Sequence, residues 1–170
     1  MPNYFSIRRS DPPEERISIS DRGTDALMNI LLLAASELAE TESQKRMTVW
    51  LAEHDRKRGR GTMGFCIAEM PWAAESFAAD KRFLVAVTDA ASQQTGWEKL
   101  DYRPNSDALM PMLRWFRKAF FRLQPADVNP HALESWLADM EPDDPALNGY
   151  PRCPRHGIYL SWCGCQICNS

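Results

Sequence analysis

Apolar residues recur at helical spacing along most of the chain. Leu27, Leu31, Ala35 and Leu38 fall on one face of a segment that Asp21 or Thr24 can cap. Thr41-Glu42-Ser43-Gln44 has the form of a capping box, in which Gln44 reaches back to the unpaired N–H groups of a helix start. It opens a second helix carrying Met47, Trp50, Leu51 and His54. On its outer side, Glu42 and Arg46, and Glu53 and Lys57, form acid-before-base pairs four residues apart. Gly59, Gly61 and Gly64 then make a loop. A single continuous helix over 24–58 is the alternative.

Pro71 suits the first turn of a third helix, with Trp72, Ser76, Ala79, Phe83 and Val87 in step. The run Phe83-Leu84-Val85-Ala86-Val87 also fits a buried strand, but its length and flanking alanines favour helix. Thr95-Gly96 stops it. Asn105 or Ser106 caps a fourth helix bearing Leu109, Met112, Leu113, Phe116, Phe120 and Leu123, with a kink or late start expected at Pro111. Asn129-Pro130 is a cap and first-turn pair for a fifth, carrying Leu133, Trp136, Leu137 and Met140 and closed by Pro142-Asp143-Asp144-Pro145. Only Ile17-Ser18-Ile19-Ser20 alternates as a strand does. The expected fold is mainly α, about five helices in one compact domain. The boundaries are an extended lead-in over 1–19, a helical domain over 20–141, a linker over 142–152 and a small module over 153–170.

Composition changes this picture little. At 170 residues, 44% hydrophobic and 25% charged, the chain is long enough for a real core and too apolar for wholesale disorder. The longest apolar run, Ala26 to Ala35, is too short to span a bilayer, so no membrane partner is expected. The first residues hold Arg8, Arg9 and Asp11 and no apolar stretch, which is not the pattern of a secretory signal; a cytoplasmic location is the expectation. The net charge of −3 conceals blocks of opposite sign. Residues 44–62 and 101–124 are basic on balance, whereas 125–150 holds six acids and no lysine or arginine.

Cysteine placement is the informative anomaly: four of the five cysteines fall after residue 152. Cys153-Pro154-Arg155-His156-Gly157 and Gly164-Cys165-Gln166-Ile167-Cys168 form two hooks, each able to point two ligands at one ion from a single tight turn. The segment between them is long enough for a short hairpin, and Gly157 and Gly164 can supply the positive φ that such turns need. Cys153, His156, Cys165 and Cys168 are therefore the candidate ligand set, with Cys163 as a substitute ligand. A closed set of four N/S donors is the pattern of structural Zn2+. Disulfides and redox thiols are the alternatives. The two halves resemble the zinc knuckles of zinc-ribbon and treble-clef modules, a resemblance confined to this tail; it implies metal binding and no particular activity.

Other chemistry is sparser. Arg56, Lys57, Arg58 and Arg60 form a basic cluster that could contact a phosphate backbone, helped by Arg152 and Arg155. The simpler reading is a basic helix end favouring the macrodipole. Arginines beside Trp115, Phe116, Phe120 and Phe121 could make a stacking surface, though aromatics at helical spacing usually form core. His131 and Glu134 lack the second copy that a bundle metal site requires, and Cys66 reads as a small buried residue. No phosphate-binding glycine loop or nucleophile elbow is visible. The expectation is a non-enzymatic zinc-binding regulator, adaptor or inhibitor acting through contact with another protein. A nucleic-acid-binding regulator and a metal-assisted hydrolase with an open site are the alternatives.

Overall fold

The computed structural model describes residues 2–55 and 64–169. Among them are two short strands, β1 (Asn3–Phe5) and β2 (Ile17–Ile19), and five α-helices: α1 (Asp21–Leu38), α2 (Glu42–Asp55), α3 (Phe77–Ser92), α4 (Ser106–Arg122) and α5 (Ala132–Ala138). The basic cluster Arg56, Lys57, Arg58 and Arg60, which includes the Lys57 partner expected for Glu53, and the expected loop glycines Gly59 and Gly61 lie outside the described residues. No helix among the described residues is long and apolar enough to cross a membrane.

The helix α1 is the axis of the fold. Met28, Ile30, Leu32 and Leu33 are buried as fully as Leu27, Leu31 and Ala35, so most of its circumference is covered rather than one face, while Leu38 is exposed. It packs against α2, α3 and α4, and α3 packs against α4. Its start is capped by Ser20, whose side chain accepts from the N–H of Gly23, one residue earlier than expected.

A break at Ala39–Thr41 separates α1 from α2, which excludes the continuous helix over 24–58. The capping box accounts for the break: Thr41 Oγ1 accepts from the Gln44 N–H and Gln44 Oε1 accepts from the Thr41 N–H, both at 3.2 Å.

The lead-in is part of the core. The strands pair antiparallel, Phe5 opposite Ile17. Phe5 is fully buried and meets Phe65 and Phe116 edge to face at 5.0 and 5.2 Å. Residues 65–68 run beside it, with Ser6 N–H donating to the Phe65 carbonyl and Ile67 N–H to that of Ser6. Gly64 passes so close to the Tyr4 backbone that no Cβ would fit there.

Two helix starts depart from expectation. Pro71 does not begin α3. Pro71-Trp72 instead follows a 3-10 turn at Ile67–Glu69, held by the Trp72 indole donating to the Ile67 carbonyl at 2.9 Å. Trp72 then packs on Phe77, where α3 starts. Asn129-Pro130 makes a turn ahead of α5, the Asn129 side chain accepting from the His131 N–H at 3.0 Å, and the helix starts at Ala132. By contrast, Asn105 caps α4 as its sequence suggests, accepting from the Ala108 N–H at 3.1 Å. The helix passes through Pro111 rather than starting after it. Pro111 lacks the N–H that would otherwise bond the Asp107 carbonyl.

Candidate metal centre

Two tight turns and a hairpin build the tail. The N–H of Cys153 donates to the Ile158 carbonyl at 2.9 Å and the N–H of Gly157 to the Cys153 carbonyl at 2.8 Å, closing the first hook. Leu160 N–H donates to the Pro151 carbonyl, and Ser161 and Gly164 bond to each other in both directions, which reverses the chain before the second hook. Gly157 and Gly164 have φ of +69° and +84°, the left-handed conformation these reversals require.

These turns bring Cys153, His156, Cys165 and Cys168 together, with one donor atom from each and all four atoms within 4.8 Å of one another. Cys153 Sγ lies 3.8 Å from Cys168 Sγ and 3.8 Å from His156 Nδ1. His156 Nδ1 lies 3.5 Å from Cys165 Sγ and 3.3 Å from Cys168 Sγ. Donors around one tetrahedral ion with bonds of about 2.0–2.3 Å would stand about 3.5–3.8 Å apart. The cluster could therefore hold a metal ion.

The electrostatics are those of a site that wants a cation. Each hook leads with a cysteine whose sulfur receives backbone N–H groups from the two residues completing the turn, Arg155 and His156 for Cys153, and Ile167 and Cys168 for Cys165. At Cys153, burial raises the thiol pKa, but those bonds outweigh it and the net shift is downward. At Cys165, burial dominates, the neighbouring Cys153 and Cys168 add to it, and the thiol is pushed up to about 12. Three thiolates cannot share this space unless a positive charge joins them. Burial, with Arg155 and Lys99 adding to it and Asp101 opposing, lowers the His156 pKa and favours the neutral imidazole that a metal ligand must be.

The tail is docked on the helices. Tyr159 N–H donates to Ser36 Oγ at 3.1 Å, and the Arg152 guanidinium donates to the Ser36 carbonyl and to the Tyr159 hydroxyl. That guanidinium also lies 4.4 Å from the centre of the Tyr159 ring. Ile158, Tyr159, Cys165 and Ile167 are buried in the same apolar cluster as α1. Sequence reasoning missed this clamp. Ser36 is one polar residue in an apolar helix, and its partners are more than a hundred residues away; the only local signal is Arg152 and Tyr159 flanking the first hook.

The remaining candidates fall elsewhere. Cys163 is outside the four-donor group and half-buried; its N–H donates to Ser161 Oγ and its carbonyl accepts from Asn169. His131 and Glu134 are exposed and belong to no metal-capable group among the described residues. Cys66 is half-buried with its thiol on the Ile7 carbonyl, and burial raises its pKa. Phe116 and Phe120 are core, whereas Phe121 is exposed. Arg117 is paired with Asp89 at 2.7 Å. No protein-family model, curated protein or solved structure matches the chain.

Proposed function

We propose that Cys153, His156, Cys165 and Cys168 hold one structural zinc ion in a knuckle like those of zinc ribbons and treble clefs, and that the protein is a non-enzymatic regulator, adaptor or inhibitor acting through contact with another protein. The observation that carries the zinc reading is the closed set of four donors at tetrahedral spacing. Three soft thiolates and an imidazole suit zinc and do not suit calcium or magnesium. Four protein ligands around a tetrahedral ion leave no position for substrate or water, which weighs against a metal-assisted hydrolase. The cytoplasm, where thiols stay reduced, is the compartment such a ligand set fits.

In this reading the ion's task is mechanical. It fixes the two hooks, so that Ile158 and Tyr159 stay seated on α1 and the hairpin presents Trp162, which is 49% exposed, to a partner. The nucleic-acid alternative has less support. Arg152, one of its two tail cations, is engaged by Ser36 and Tyr159. Metal analysis under reducing conditions tests the proposal: about one equivalent of zinc, released by a thiol-selective reagent, is expected. Less than about half an equivalent of any metal overturns it. Retention on immobilised single-stranded RNA or DNA that falls steeply with salt would move the functional reading to nucleic acid.

A further inference from the structure

Glu53, on α2, is a buried carboxylate with only one oxygen in use. Its Oε2 accepts the indole N–H of Trp136 at 2.7 Å, while its Oε1 is buried and has no hydrogen-bond partner. The residue is 8% exposed. A buried, unsatisfied carboxylate oxygen is costly, and a cationic donor reaching it would remove that cost.

Glu53 lies in the wall of a cleft of about 1370 Å³ between α2, α5 and the tail hairpin, together with Trp50, Trp136 and Trp162. The segment that follows α5 contributes Asp139, Glu141, Asp143 and Asp144 to the same cleft and no base. Arg9, on another wall, is held by Glu69 at 3.1 Å, and the second Glu69 oxygen accepts from Asn129 at 2.7 Å. That pair is balanced within itself, and among the described residues lining the cleft no other base faces the remaining acids. Burial, with the charge of Asp144 adding to it and the Trp136 bond opposing, pushes the Glu53 carboxyl up to about 7. A cation arriving there would gain by relieving that penalty.

These acids do not converge on a point. Among the described residues the metal-capable group is the tail cluster alone, so the cleft suits an extended organic cation rather than an ion. A guanidinium meets the requirements best. It is weakly hydrated, stacks on indole faces and offers paired donors to a carboxylate. An ammonium is compact and more costly to strip of water. The cleft is larger than one side chain needs, and its acidic rim would steer a basic carrier into it and repel a phosphate backbone.

We propose that this cleft recognises an arginine side chain presented by a basic peptide or protein partner, with Glu53 Oε1 as the acceptor beside the indole of Trp136. The proposal deepens the protein-contact reading above by naming the partner's chemistry, and it draws on the metal centre only for the wall formed by Leu160, Ser161, Trp162 and Gly164.

The test is calorimetric titration of the full chain with an acetylated, amidated Gly-Ser-Arg-Ser-Gly peptide, and with the same peptide bearing citrulline, the neutral isostere of arginine. The arginine peptide is expected to bind at least about fivefold more tightly, since burying a charge pair with hydrogen bonds gives discrimination of that order or more. Glu53→Gln is expected to remove that preference, and a variant that retains it contradicts the role of Glu53. A preference below about fivefold on the unaltered protein, or no binding of either peptide, overturns the proposal whether or not the variant folds. Metal content is measured on the same sample. A metal-free protein that still prefers arginine refutes the zinc reading alone, and a zinc-loaded protein without the preference refutes the cleft alone.

Discussion

The helix α1 and the tail from Arg152 to Asn169 are held in place by different physics, although they touch. Along α1, burial of Leu27, Met28, Ile30, Leu31, Leu32 and Leu33 at 2% exposure or less provides most of the hold. The tail has few apolar side chains. Ile158, Tyr159 and Ile167 anchor it, and the rest of its shape comes from turns, N–H bonds to sulfur and a cluster of three thiols and one imidazole. A segment this small cannot bury enough surface to order itself, and in the proposed reading an ion does for the tail what packing does for α1. The comparison predicts that the tail can fail without the core, whereas failure of the core takes the tail with it.

The largest effect should follow a cut in the apolar core. Phe116→Ala removes a fully buried ring that meets Phe5, Phe65 and Phe120. Denaturant unfolding should show a loss of about 3–5 kcal/mol with the helical signal and tail signal lost together. A loss under about 1 kcal/mol would show that the aromatic cluster is not the keystone of the core.

Next comes the tail. Chelation, or Cys165→Ser, should release the metal and speed amide exchange at 153–168 by at least about tenfold while far-ultraviolet dichroism keeps most of its helical intensity. Collapse of the helical signal on chelation would mean that the metal holds the whole fold and that the two regions are one.

Glu53 sharpens the contrast, because it is a charge placed where α1-type burial rules. Its folded-state pKa is raised from about 4.5 to about 7. Stability from the neutral carboxyl is therefore fully present below pH 4.5 and lost as pH rises through 7. Glu53→Gln should gain on the natural protein across that interval by up to about 3 kcal/mol, read from unfolding curves at each pH. A constant difference across the interval would show that Glu53 ionises normally.

The smallest expected effect is at a helix end. Asn105→Ala removes the cap of α4 and should cost about 1 kcal/mol, with no change in metal content.

Local signals in the sequence carried as far as local physics reaches. The Thr41–Gln44 box, the Asn105 cap and the positive φ at Gly157 and Gly164 depend on residues a few positions apart, and each is legible in the chain. The two hooks are legible for the same reason, since each is a single turn. What escaped depends on distant partners. Phe5 becomes core only because residues 65–68 lie beside it, and Pro71 loses its helix to a bond between Trp72 and Ile67. The Arg152–Ser36 clamp spans the chain, and so does the Trp136–Glu53 bond. Glu53 reads as an exposed partner for Lys57 on a helix surface; only the return of α5 across α2 buries it.

We propose above that one structural zinc orders the tail. X-ray absorption at the zinc edge, with metal quantified on the same purified protein, tests it most directly. The account predicts about one zinc per chain with three sulfur and one nitrogen neighbours and no water, the shell that Cys153, His156, Cys165 and Cys168 provide. A shell containing water or a carboxylate oxygen, or less than about half an equivalent of any metal, would contradict it.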